Sequence, residues 1–198
     1  MRNDSHDLGL VLGSKVKLVV IESWDERRVL ETLTSLAVKR GLGLYTWAVT
    51  EGLQRLGFAA DVSDESASLE PEAALKLIKH DPQPNLYVLC DLHPFLVDNP
   101  KLVRLLKEIA LAEGAHKPTL VLVSHALKLP VEVQRYAARF ALALPSEEEL
   151  LAIVRDEATR WSEGNRGARV RTDNRTLQQV VKNLRGMSHA EARALARR

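Results

Sequence analysis

Short apolar runs alternate along the chain with longer segments in which apolar residues recur every three or four positions. Residues 16–21 (Val-Lys-Leu-Val-Val-Ile) follow Gly13-Ser14 and predict a strand. Residues 25–40 then place Val29, Leu30, Leu33, Leu36 and Ala37 on one stripe and stop at Gly41, which predicts a helix. Residues 44–49 predict a second strand. Residues 71–80 predict a helix that opens on Pro71, with Ala74, Leu77 and Ile78 on one side. Residues 86–90 are apolar throughout, as in a strand buried on both faces. Asn99 caps a further helix with Pro100 at its first position and Leu102, Leu105, Leu106 and Ile109 as its stripe. A fourth strand is predicted at 119–123, a short helix from Val131, and a fifth strand at 140–144. Ser146 followed by Glu149 is a capping-box pattern that starts a helix.

Strands alternating with helices predict a five-stranded parallel sheet with helices on both faces, an α/β three-layer sandwich. Residues 163–174 are polar and include Gly164, Gly167, Arg166, Arg169 and Arg171, which reads as a linker. Helices at 176–184 and 188–198 follow, joined at Gly186. The expected organisation is therefore an α/β domain over 1–160 and a basic linker with a helical piece over 161–198. The last helical segment has no glycine or proline stop, so a longer protein is expected to continue from it.

The chain has 198 residues, 45% hydrophobic and 27% charged, enough for one medium core and too mixed for a disordered chain. No run approaches the roughly 20 uncharged apolar residues of a membrane span. The polar start Met1-Arg2-Asn3-Asp4-Ser5-His6 lacks a secretory apolar core, so a cytoplasmic protein without a membrane partner is expected. A single cysteine excludes an intrachain disulfide and a four-cysteine zinc site. The net charge of +2 is unevenly spread: eleven of the 28 Lys/Arg but five of the 26 Asp/Glu lie in 151–198. A basic end on an acidic body fits either a solvated helical face or an attraction to nucleic acid or an acidic partner.

Chemistry on a parallel sheet belongs at the carboxyl ends of its strands. After the first strand stand Ser23, Trp24, Asp25 and Glu26, and no glycine occurs between Gly13 and Gly41. The glycine-rich loop, lysine and Ser/Thr of a nucleotide-hydrolysing domain are thus missing. Ser23 with Glu26 reads instead as a capping box, and its carboxylates take the field a phosphate would use. Nucleotide binding tighter than about millimolar is not expected. Asp91, at the end of the third strand, matches a magnesium-holding position, but Leu92 replaces the acid that would activate water. Cys90, Asp91 and His93 on an extended segment point alternately and cannot converge on one metal ion. Ser124 ends the fourth strand, where P-loop ATPases place a polar residue that senses the γ-phosphate, although a polar residue at a strand end is also the default. Ser, His and Asp occur without a G-x-S-x-G elbow, and Cys90 in a buried run reads as an inert thiol. A phosphoacceptor receiver domain would need a lysine after the fifth strand, where Leu144-Pro145 stand.

Several segments in order resemble the bacterial and plastid AAA-type ATPases of the conserved chloroplast reading-frame 46 class. They are Ser23-Trp24-Asp25-Glu26, Leu44-Tyr45-Thr46-Trp47-Ala48-Val49-Thr50 with Gly52, and Asp91-Leu92-His93-Pro94-Phe95-Leu96. Thr119-Leu120-Val121-Leu122-Val123-Ser124, Leu129-Pro130 and Leu144-Pro145 extend the match. The tail from Leu184 to Ala192 is similar to the start of an AAA helical lid. Cys90 departs from the lysine expected before the aspartate. The resemblance implies an AAA-like sheet order 5-1-4-3-2 lacking a P-loop; the rival is the receiver-like 2-1-3-4-5. It further implies a silent front half, with ATP and Mg²⁺ bound by a second module and no cofactor here. Ser23, Asp91 and Ser124 become vestigial strand-end positions. The downstream module is the implied partner, with homo-oligomers possible in principle. Arg135 and Arg139, expected one turn apart on a helix, stand near where AAA proteins present an arginine to a neighbour's nucleotide; a solvated pair is the alternative. A second function class is nucleic-acid or acidic-partner binding through Arg160, Arg166, Arg169, Arg171 and Arg175 beside Trp161.

Overall fold

The computed structural model describes residues 4–56, 69–114, 117–165 and 173–197. Two compact units divide the chain, Met1–Leu142 and Ala143–Arg198. The divide expected at residue 160 falls inside a helix that belongs wholly to the second unit.

In the first unit α1 (Asp4–Leu12) and β1 (Leu18–Glu22) lead to α2 (Glu26–Arg40) and the hairpin β2 (Leu44–Ala48) and β3 (Gly52–Arg55). Then come α3 (Pro71–His80), β4 (Leu86–Cys90), a 3-10 turn (His93–Leu96), α4 (Pro100–Ala110) and β5 (Thr119–Ser124). The unit ends with α5 (Val131–Gln134) and β6 (Ala137–Phe140).

The sheet order is β3-β2-β4-β5-β1-β6. The five expected strands stand in the AAA-like order, with β1 between β5 and the last strand, which rules out the receiver-like arrangement. Two details differ from expectation. The sheet is mixed rather than purely parallel, because β3 pairs antiparallel with β2, Ala48 opposite Gly52. Four residues with only Gly52 buried leave no apolar alternation by which the sequence could announce that strand. The last strand is 137–140 rather than 140–144, since Leu18, Val19 and Val20 pair with Ala137, Ala138 and Arg139, and only Phe140 of the expected run joins the ladder, opposite Ile21. As an edge strand it needs no continuous apolar run.

β4 is buried along its whole length, and its side chains alternate between two cores. On one face Leu18, Val20, Trp47, Tyr87, Leu89, Leu120 and Leu122 pack against Leu75, Ile78, Leu102 and Leu106 of α3 and α4. On the other, Val19, Ile21, Val88, Cys90, Val121 and Val123 pack against Val29, Leu33 and Leu36 of α2 and Leu8 of α1. Each such apolar side chain contributes about 1.5–3 kcal/mol. In α3, Leu75 rather than Leu77 completes the buried stripe, and Leu77 is exposed. α1 was not announced by the polar start. It is fixed by fully buried Leu8, by the Asp4–Arg28 ion pair at 2.9 Å, and by Arg40 donating to the Gly9 carbonyl.

α2 ends as the sequence predicts: Gly41 adopts φ 64 and its amide caps the last turn, a backbone position open to glycine. Asn99 Oδ1 caps α4 by accepting from the Leu102 amide at 3.1 Å.

In the second unit α6 (Glu147–Gly164), α7 (Asn174–Asn183) and α8 (His189–Ala196) enclose Leu150, Ile153, Val181, Leu184 and Ala192. Capping boxes start α6 at Ser146/Glu149 and α8 at Ser188/Glu191. Glu157, only 4% exposed, accepts from Arg197 at 2.7 Å, Arg193 at 3.1 Å and Arg160 at 3.4 Å. Arg197's hydrogen bond and charge, helped by Arg160 and Arg193, hold the Glu157 carboxyl below its ordinary range despite burial.

Candidate functional site

β4, β5 and β1 are adjacent in the sheet, so their carboxyl ends share one surface. The three expected strand-end residues meet there. The Ser23 amide donates to the Ser124 carbonyl at 2.9 Å, and the Asp91 amide donates to the Val123 carbonyl at 3.0 Å. The buried Ser124 hydroxyl donates to Asp91 Oδ1 at 2.6 Å. Asp91 adopts φ 52, a left-handed conformation that aspartate tolerates better than most residues.

His125 Nδ1 lies 3.4 Å from the same hydroxyl. In a hydrolytic triad the imidazole takes the serine proton and the carboxylate orients the imidazole. Here the carboxylate holds the serine itself, so the contact ties β4 to β5 without assembling a nucleophile and its base.

Three residues, Ser23, Trp24 and Asp25, connect β1 to α2. Ser23 Oγ accepts from the Asp25 amide at 3.0 Å, and Asp25 Oδ1 accepts from the Arg28 amide at 3.3 Å. The helix cap is therefore Asp25, and the expected Ser23/Glu26 capping box does not form. The reason lies in β1, which runs through Glu22 and draws Ser23 into its ladder with β5. Glu26, on the first turn of α2, turns towards Cys90 instead. Burial, then the charge and hydrogen bond of Glu26 and the charges of Asp91 and Glu51, push the Cys90 thiol up to about 12. A thiol so raised is no nucleophile at neutral pH.

Sequence reasoning missed the aromatic feature of this surface. Trp24, 77% exposed, stacks on His125 with ring centroids 4.5 Å apart, and His93 approaches His125 edge-on at 6.1 Å. His93 Nδ1 is buried without a hydrogen-bond partner. Nothing local in the sequence marks the pair, since only the placement of β5 beside β1 brings residues 24 and 125 together.

Arg135 and Arg139 are not one turn apart on a helix. Arg135 is exposed just after α5, and Arg139 lies on β6. Arg139 donates to Glu22 Oε1 at 3.0 Å and to the Leu127 carbonyl at 3.3 Å, while Glu22 Oε1 also accepts from the Leu127 amide at 3.0 Å. That arginine is thus spent on pinning the loop after β5.

Of the basic residues near the carboxyl end, Arg160 pairs with Asp156 at 3.2 Å and with Glu157, and Arg175 is exposed on α7. Arg166, Arg169 and Arg171 lie outside the described residues. Trp161 is half exposed on α6. Among the described residues no three His, Cys, Asp or Glu are arranged to hold a metal ion, and no helix is long and apolar enough to cross a membrane.

The strand order and flanking layers define an AAA-type ATPase fold. The chain is similar to the FIGL-1 AAA domain in complex with ADP, at TM-score 0.61 and 13% identity over 98% of this chain and 63% of that one. It is also similar to two mutant structures of Thermotoga maritima RuvB. One has TM-score 0.59 and 14% identity over 99% of this chain and 60% of that one. The other has TM-score 0.58 and 12% identity over 98% and 58%. The chain therefore spans less than two thirds of each of these proteins. No curated protein matches it in sequence. The chain belongs to the SpoVK-like AAA ATPases: residues 4–142 match the family model of their N-terminal domain, and residues 148–198 that of the second domain.

Proposed function

We propose that this chain is a non-catalytic, ATPase-like part of a larger AAA protein, serving its assembly or regulation. The observation that carries this reading is the three-residue connection between β1 and α2. A P-loop needs about eight residues whose amides wrap the phosphates. Here the amides of Ser23, Asp25 and Arg28 donate to the protein's own oxygens. Exposed carboxylates of Glu26 and Asp91 stand nearby and repel an anion. In this reading Ser23, Asp91 and Ser124 hold neither ATP nor Mg²⁺, because their polar groups are turned to one another and to the helix cap.

ATP and Mg²⁺ belong, in this reading, to another module of the parent protein, which is also this chain's first partner within a cytoplasmic homo-oligomer. The resemblance of the segments around Ser23 and Asp91 supports, in this reading, a parent of the chloroplast reading-frame 46 class. Hydrolysis assays on residues 1–198 test the proposal. No turnover above background is expected, and turnover abolished by Asp91→Asn would overturn it.

Binding of nucleic acid or an acidic surface through the basic end is the second reading. Exposed Arg175 and Trp161 favour it, and the pairing of Arg160 with Asp156 and Glu157 weighs against it. Binding that falls steeply with salt and is lost on truncation after residue 160 would establish it over the first.

A further inference from the structure

We propose that the Trp24–His125 platform and the carboxylates beside it form a docking site for an arginine side chain presented by a protein partner. This inference rests on the reading above, in which no nucleotide occupies the strand ends.

Trp24 is the most exposed large apolar side chain among the described residues, at 77%. Exposed tryptophan is costly to leave in water and is enriched among side chains that dominate protein interfaces. It is also held in place. His125 stacks beneath it at 4.5 Å, His125 adjoins buried Ser124, and Ser124 donates to Asp91 at 2.6 Å. A platform fixed in this way loses little freedom when a partner lands on it.

The charge around it selects the partner. Glu26, Glu51 and Asp91 come from the first turn of α2, the β2–β3 turn and the end of β4, and all three are exposed. Glu26 lies two residues after Trp24, Asp91 is hydrogen-bonded at 2.6 Å to Ser124 beside His125, and Glu51 acts with both on the Cys90 thiol. None of the three forms an ion pair among the described residues. Their neighbours are compensated: Glu22 by Arg139, Glu31 by Arg27, and Asp4 by Arg28. The strand ends therefore offer an aromatic face within an uncompensated negative field.

A guanidinium satisfies both parts of that surface. It stacks on an indole face and donates paired hydrogen bonds to a carboxylate, whereas an ammonium offers a single point charge. A phosphate-bearing ligand meets like charge. A purely apolar side chain covers Trp24 but leaves desolvated carboxylates unanswered.

The test titrates the whole 198-residue chain, by calorimetry and tryptophan fluorescence, with a capped Gly/Ser peptide carrying two arginines. Peptides with lysine or citrulline in place of arginine are the comparisons. The expected result is saturable binding of the arginine peptide below millimolar, with the citrulline peptide at least about tenfold weaker and lysine between them. Trp24→Ala, and separately the pair Glu26→Gln with Asp91→Asn, each weaken it about fivefold or more, while Val38→Ala on the far exposed side of α2 leaves it unchanged. Circular dichroism confirms that the variants fold. Equal affinity for arginine and citrulline, no effect of Trp24→Ala, or no binding up to millimolar overturns the proposal. Mg-ATP titrated alone separates the two readings: micromolar ATP binding overturns the non-catalytic reading together with this one. Absence of both ATP and peptide binding overturns only the arginine site.

Discussion

Ser124 and Asp91, at the ends of two neighbouring strands, are joined by a hydroxyl-to-carboxylate hydrogen bond of 2.6 Å, with the serine almost wholly buried. Ser124→Ala removes that donor and should cost about 1–2 kcal/mol. Asp91→Asn should cost less than Asp91→Ala, because asparagine keeps an acceptor and tolerates φ 52 while alanine does neither well. Urea unfolding with an unchanged slope checks both statements.

Nucleotide affinity is expected to be no tighter than about millimolar, the regime near 4 kcal/mol. Calorimetry with ATP and ADP, each with Mg²⁺, measures it. Micromolar binding would mean that the connection after β1 holds phosphate after all.

Glu157 anchors three arginines, and Glu157→Gln should destabilise the helical unit by about 1–3 kcal/mol, the arginines being partly solvated. Its carboxyl is held below the ordinary 4.5, so its contribution is fully present above that pH and is lost as pH falls through the depressed value. Hydrogen-exchange protection factors of α6, α7 and α8 in the whole chain, corrected for the intrinsic rate, should therefore fall under acid. In Glu157→Gln that component of the pH dependence should vanish.

The Cys90 thiol, pushed up to about 12 and buried, should react with a disulfide reagent at pH 8 at least about a hundredfold more slowly in the native chain than in urea. Rapid native labelling would show that β4 opens at its carboxyl end.

Most of the sheet was legible because buried strands and amphipathic helices impose periods that a sequence must display. Val19, Val88 and Val121 had to be apolar wherever the sheet is covered on both faces. α1 and β3 impose no such demand: in one Leu8 is the only fully buried apolar side chain, with Val11 and Leu12 half-buried beside it, and in the other only Gly52 is buried. The helix cap turned on one residue of strand length. Ser23 and Asp25 are equally good caps by composition, and the ladder to β5 took Ser23 first. By sequence Arg139 belongs to a helix, because the apolar run after it outweighs Ala137 and Ala138, which pair in register with β1. The platform of Trp24 and His125 needed the order of the sheet before either residue had a neighbour.

The short connection after β1 also bears on what substitution alone can reach. A phosphate site that lacks only its lysine or a glycine is one substitution from working. A three-residue connection, with the amides of Ser23 and Asp25 committed to Ser124 and Ser23, is not turned into a P-loop in that way. The change would require inserting several residues and remaking the cap of α2 at once.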